Sequence, residues 1–143
     1  MNDLVKGAHI AKLKQSMESA ISAKELAQVE FPLEHFFADG VYGRRIFVPA
    51  GATVITAVHK KEHITIALKG HSVVVDEVGD RKDIIAPCVF ITKPGTQRAV
   101  YAITDVEWVT VHHYEGDNSL ETVEKTLVCD TMQEYNRLLE VPQ

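Results

Sequence analysis

Gly51 to Gly70 reads GATVITAVHKKEHITIALKG. Two β-rich runs, Thr53–His59 and His63–Leu68, stand on either side of the polar Lys60-Lys61-Glu62, with glycines at both outer ends. Short runs of branched and apolar residues bounded by turn formers argue for strands, and the two lysines between them for a solvated turn. Successive side chains of a strand point to opposite faces, so Ile55, Ala57 and His59 share one face. His63, Thr65 and Ala67 share one face of the next strand by the same alternation. The HKKEH segment has the length of an HExxH zinc motif but not its order, and a strand turn is the wrong setting for one.

The same grammar extends outward. The runs Val41–Val48, Ser72–Glu77, Asp83–Ile85, Val89–Thr92, Gln97–Ile103 and Glu107–His112 are separated by Pro49-Ala50-Gly51, Lys69-Gly70, Val78-Gly79-Asp80, Ala86-Pro87 and Lys93-Pro94-Gly95. Seven or eight short strands at roughly ten-residue spacing, with no helix between them, predict an antiparallel sandwich or barrel. A parallel sheet would need crossover helices for which there is no room. Before the strands, Ile10, Leu13, Met17, Ala20 and Ile21 recur at helical steps, and Pro32 ends any helix that reaches it. After them, Asn118 with Glu121 and Thr131 with Glu134 read as capping boxes of two short helices. The expected organisation is an N-terminal helical arm at 1–30, a β-barrel at 31–115 and a C-terminal helical segment at 116–143.

The chain has 143 residues, 45% hydrophobic and 24% charged, with a net charge of -5. That composition suits one globular domain and argues against wholesale disorder. The acidic balance argues against binding to a nucleic-acid polymer, and no apolar stretch reaches membrane-spanning length. Cys88 and Cys129 are distant and in no CxxC spacing, which points to a reducing compartment and no thiol zinc site. A cytoplasmic location is expected. No G-x-S-x-G, P-loop or dinucleotide fingerprint occurs.

From Gly51 the intervals run five residues to Ala57, one more to His59, three to His63 and six to Gly70. This spacing resembles the first motif of the cupin superfamily, G-x5-HxH-x3–4-E-x6-G. Gly51, His59 and Gly70 stand as that motif has them, Ala57 takes the place of its first His, and His63 that of its Glu. Lys93-Pro94-Gly95-Thr96-Gln97-Arg98 resembles the PxGxxH part of the second motif, with Arg98 at the His, Pro87 at the leading Gly and Ala102 at the Asn. The chain is also similar to small cupin-like proteins encoded by bacteriophages. The shared runs are Gly40-Val41-Tyr42-Gly43-Arg44, Pro49 to His63, Pro94 to Arg98, and Trp108-Val109-Thr110-Val111-His112. The resemblance implies an all-β jelly-roll barrel, with those strand faces lining its mouth.

If the faces converge, the pocket holds His59, His63, His112, Arg98, Arg44, Tyr42 and Thr110. His59, His63 and His112 then either hold a divalent metal (zinc, iron, manganese or nickel) and carry acid–base chemistry, or only hydrogen-bond. Arg98 in place of a metal ligand needs an anionic partner, because an unpaired buried charge is costly. Glu62 is one candidate. A phosphate or carboxylate of a ligand is the other, with Arg44, Tyr42 and Thr110 as further ligand contacts. The expected function is binding, and transformation if the histidines act, of a small anionic phosphorylated or nucleotide-like molecule. A phage protein that sequesters a host metabolite or nucleotide signal, or a structural jelly roll, are the alternatives. Exposed sheet edges predict a homodimer or higher homo-oligomer.

Overall fold

The strand pattern assembles into two facing antiparallel sheets in a computed structural model that describes residues 31–76 and 78–140. The expected N-terminal arm lies outside the described residues. In chain order the strands are β1 (Leu33–Ala38), β2 (Val41–Val48), β3 (Thr53–Ile55), β4 (Val58–His59), β5 (His63–Lys69) and β6 (His71–Val75). They continue as β7 (Arg81–Ile85), β8 (Cys88–Thr92), β9 (Ala99–Ala102) and β10 (Val106–His113). Helix α1 (Leu120–Leu127), strand β11 (Val128–Cys129) and helix α2 (Met132–Glu140) complete the chain. One sheet runs β1-β2-β10-β5-β8, the other β3-β9-β6-β7, and β4 pairs with β11.

Between the sheets, Val48, Ala67, Val106 and Trp108 of the first pack against Val74, Ile84, Val100 and Ala102 of the second. A second cluster joins Tyr42 and Tyr114 to Val123 and Leu127 of α1. The motif glycines are there for the backbone. Gly70 has φ 93°, and a Cβ on it would lie 2.1 Å from the Asp105 carbonyl oxygen. Gly95 has φ 81° and would press a Cβ to within 2.9 Å of the Tyr135 ring. Neither position admits a side chain without displacing its neighbour.

Four expectations need correction. Leu33–Ala38 was not foreseen as a strand, yet β1 forms the edge beside β2 and lays Phe36 over Gly43. The single run Thr53–His59 divides, because the Gln97 amide takes the Thr56 carbonyl at 3.1 Å and so displaces a ladder partner. The first C-terminal helix is capped by Ser119 rather than Asn118, with the Ser119 side chain accepting from Thr122 N–H. The segment after 115 holds a short strand besides the two expected helices, since β11 returns to pair Val128 with His59 and Cys129 with Val58. The Thr131 box does form, with Glu134 N–H donating to the Thr131 hydroxyl at 3.1 Å.

Candidate functional site

The inward face of the five-stranded sheet is a grid set by strand register. Tyr42 lies opposite His112, Arg44 opposite Thr110, Ile46 opposite Trp108 and Val48 opposite Val106. On the other side of β10, Thr110 lies opposite Thr65 and Trp108 opposite Ala67. One step beyond this register His112 reaches His63, with ring centroids 4.2 Å apart. β5 and β8 place His63 opposite Thr92. The facing wall is supplied by Val54 to Ala57, His59, Arg98 and Val100, and α1 with β11 adds Val123, Glu124, Leu127 and Val128.

These walls enclose a cavity of about 340 Å³. His59, His63, His112, Arg98, Arg44, Tyr42 and Thr110 all line it. So does Ala57, so the four motif positions that carry altered or retained ligand types, Ala57, His59, His63 and Arg98, converge as the spacing implied. His59 and His63 have ring centroids 4.6 Å apart.

The imidazoles are held by bonds that fix their tautomers. His59 Nδ1 lies 3.1 Å from the Thr96 carbonyl oxygen and His63 Nδ1 3.3 Å from that of Lys61. A carbonyl only accepts, so both Nδ1 atoms carry the proton and both Nε2 atoms present a lone pair. His63 Nε2 is buried with no hydrogen-bond partner. His112 Nε2 bonds the Thr110 hydroxyl at 2.8 Å.

Electrostatics keep the group neutral. Burial, then the neighbouring His63, with smaller contributions from Arg98 and Arg44, lowers His59 from 6.5 to about 4 against the raising bond to Thr96. Burial, then His63, His59 and Arg44, lowers His112 to about 3. Burial and Arg98 also lower His63, opposed by its bond to Lys61. None of these causes is a carboxylate.

Arg98 donates from Nη1 to the Thr92 hydroxyl at 3.2 Å, and Thr92 shares a 2.7 Å bond with Thr65. Glu62, the protein carboxylate considered for Arg98, sits in an exposed pair with Lys93 at 3.1 Å. Arg44 donates from Nε to the Tyr42 hydroxyl at 3.0 Å, and His35 Nδ1 lies 2.7 Å from the same oxygen. Arg44 can only donate, so the phenol oxygen accepts from it, while the direction of the His35 bond follows the imidazole tautomer. His35, a residue of β1, thus clamps Tyr42 together with Arg44.

The donor set does not fit the expected divalent metal. Ala57 brings no donor, Arg98 brings a cation, and two guanidinium groups bear on the imidazoles. Among the described residues no group of three or more His, Cys, Asp or Glu side chains is arranged to hold a metal ion. His59, His63 and His112 form a run of closely spaced rings tilted by 43° and 32°.

Sequence reasoning missed two parts of the site, the Thr65–Thr92 pair and the C-terminal wall. Thr65 and Thr92 seat Arg98, although strand alternation already placed Thr65 beside His63. Trp108, which with Phe90 reads from sequence as core or subunit contact, forms the floor and meets Phe90 edge-on at 5.8 Å. The C-terminal wall carried no chemical motif to betray it, only the amphipathic pair Val123 and Leu127.

A cavity between two antiparallel sheets, with its polar groups gathered at one end, defines a barrel-type small-molecule site. No family profile matches the chain, and no curated protein matches it. Solved structures do. Salicylate 1,2-dioxygenase from Pseudoaminobacter salicylatoxidans aligns over 69% of this chain and 30% of its own at 12% identity and TM-score 0.53. A predicted oxalate decarboxylase from Thermotoga maritima aligns over 59% of this chain and 80% of its own at 22% identity and TM-score 0.50. A Cupin 2 conserved barrel domain protein from Salinispora arenicola aligns over 62% and 81%, at 18% identity and TM-score 0.49. At these identities the likeness is one of fold. The chain has the all-β, cupin-type fold that its motif spacing implied.

Proposed function

We propose that the chain binds a small anionic molecule in the cavity between its sheets. Arg98 and Arg44 face the anionic group, and the neutral imidazoles accept hydrogen bonds from its hydroxyl or amide protons. The observation that carries the reading is His63 Nε2, a buried lone pair without a partner in a wall that also holds two guanidinium groups. A buried polar atom left unpaired costs about 1–3 kcal/mol, which a ligand donor would recover. The space of about 340 Å³ is at the lower end of small-molecule pockets and suits a phosphorylated or carboxylated molecule with an apolar body. Trp108, Val106, Val48 and Val54 would receive that body.

A scaffold role is disfavoured, because a purely structural barrel would fill this space with apolar side chains. Binding is favoured over acid–base chemistry by the histidines themselves. Efficient proton transfer wants a group that titrates near the working pH, whereas His59 and His112 titrate at about 4 and 3. They serve better as fixed acceptors than as bases. In this reading Arg98, and not a metal, supplies the positive charge.

The test is isothermal titration of the full chain with nucleoside 5′-monophosphates, sugar phosphates and aromatic carboxylates. At least one should bind, and Arg98→Gln should weaken it about 10- to 150-fold, the worth of one hydrogen bond to a charged group. Equal binding by wild type and Arg98→Gln would overturn the reading, as would absence of binding across all three classes.

A further inference from the structure

Two hydrogen-bond acceptors stand side by side in the cavity wall. His59 and His63 each commit Nδ1 to a backbone carbonyl, that of Thr96 at 3.1 Å and that of Lys61 at 3.3 Å. Each therefore turns a lone pair on Nε2 away from its anchor. His63 Nε2 is buried without a partner, and the one side-chain hydrogen bond of His59 among the described residues runs through Nδ1. The two ring centroids are 4.6 Å apart. A pair of fixed acceptors at that spacing suits hydroxyls on neighbouring carbons, each donating to its nitrogen at about 2.8 Å. A single hydroxyl carries one proton and would satisfy one acceptor only.

The rest of the lining defines what accompanies the two hydroxyls. Arg98 lies over the Phe90 ring at 5.3 Å with Nη1 on the Thr92 hydroxyl, and Arg44 is held on the Tyr42 hydroxyl. Guanidinium forks fixed in this way suit the oxygens of a phosphate. Glu124, the one carboxylate of the lining, bears on His35 beside Arg44, which leaves Arg98 the stronger seat for that phosphate. Beyond the polar groups, Val48, Val54, Val100, Val106 and Trp108 offer apolar walls and one large ring, which suit a flat, uncharged body.

Resting on the anion-binding reading above, we infer that the ligand is a ribonucleoside 5′-monophosphate. The cis-diol of its ribose lies on His59 and His63, its phosphate on Arg98 and its base over the Trp108 floor. A sugar phosphate brings the diol and the anion but no apolar body. An aromatic carboxylate brings the body and the anion but no pair of hydroxyls. Deoxyribose lacks one of the two donors, so the imidazole pair selects ribose against deoxyribose. The space of about 340 Å³ admits one such molecule.

Isothermal titration of the full chain with the common ribonucleoside 5′-monophosphates tests this, followed by the 2′-deoxy and 3′-deoxy forms of the tightest. At least one ribonucleotide should bind. Each deoxy form should bind about 5- to 150-fold more weakly, the effect of one buried acceptor left unpaired. His63→Leu should abolish one of those two penalties and keep the other, and His59→Leu should do the reverse. The wild-type series is decisive even where a variant fails to fold. Equal affinity for ribo and deoxy forms overturns the inference. Tighter binding of a sugar phosphate, an aromatic carboxylate or 3,4-dihydroxybenzoate than of every ribonucleotide also overturns it, while leaving the anion site itself intact. Binding of none of these probes overturns both.

Discussion

The two ends of the cavity are made by the same three strands and have opposite characters. β2 turns inward Tyr42 and Arg44 at one end, Ile46 and Val48 at the other. β10 matches it with His112 and Thr110 against Trp108 and Val106, and β5 with His63 and Thr65 against Ala67. A strand face is thus not one environment. The apolar end is a packed core shared with the second sheet, while the polar end gathers the buried His63 and His112 with the half-buried His59, Arg44 and Arg98. The difference teaches that stability and binding occupy successive rungs of one ladder, about 7 Å apart along each strand. Substitutions at the two ends should therefore differ in sign as well as size.

The largest effect belongs to the apolar end. Trp108 is 7% exposed and touches both sheets' side chains through the core cluster. Trp108→Ala should cost about 3–5 kcal/mol through lost burial and the void left behind. A urea titration reads this as a lower midpoint with little change in slope. A loss under 1 kcal/mol would mean that the floor is not a core.

Next comes pH, which isolates the polar end. His59 and His112 titrate at about 4 and 3 when folded and near 6.5 when unfolded. The unfolded chain therefore takes up protons that the folded chain refuses, and acid favours unfolding. Stability should be flat above about pH 7 and fall as pH drops from 6.5 towards 4. At pH 5 each of the two groups contributes a loss of about 2 kcal/mol. Denaturant titrations at pH 7.5 and 5 measure it. In His59→Gln/His112→Gln the loss should shrink markedly, and an unchanged acid profile would break the contrast between the two ends.

Much of this was legible in the sequence, for identifiable reasons. Strand alternation is a local rule, so the run Val41–Val48 has its observed bounds in the sequence, and the same rule puts Tyr42, Arg44, Ile46 and Val48 on one face without saying which way that face looks. The motif intervals located Ala57, His59, His63 and Arg98 although two of the residue types had changed, because spacing records backbone geometry. Chemistry does not survive such changes. With alanine and arginine at ligand positions, the three histidines suggested a metal that the donor set does not fit. What stayed hidden was non-local. β11 holds β4, and with it His59, from nearly seventy residues downstream, and a two-residue strand leaves no periodic trace. The clamp of His35 and Arg44 on Tyr42 likewise needed the β1–β2 register.

The smallest predicted effect has the opposite sign and separates the two ends most sharply. His63 is 4% exposed, its Nδ1 bond to Lys61 is long at 3.3 Å, and its Nε2 is unpaired. Leucine has similar size and no polar atom to desolvate. Removing a buried unsatisfied acceptor recovers part of its 1–3 kcal/mol penalty, and Lys61, being exposed, can turn its carbonyl to water. His63→Leu should therefore raise stability at pH 7.5 by about 1 kcal/mol. Because His63 is itself one cause of the lowered values of His59 and His112, the acid loss should lessen as well. Binding of the anion identified by titration should weaken in the same variant, since the acceptor is gone. A more stable protein that binds less is the signature of a site held ready at the fold's expense. A His63→Leu protein that is less stable and binds normally would mean that His63 belongs with Trp108, as core.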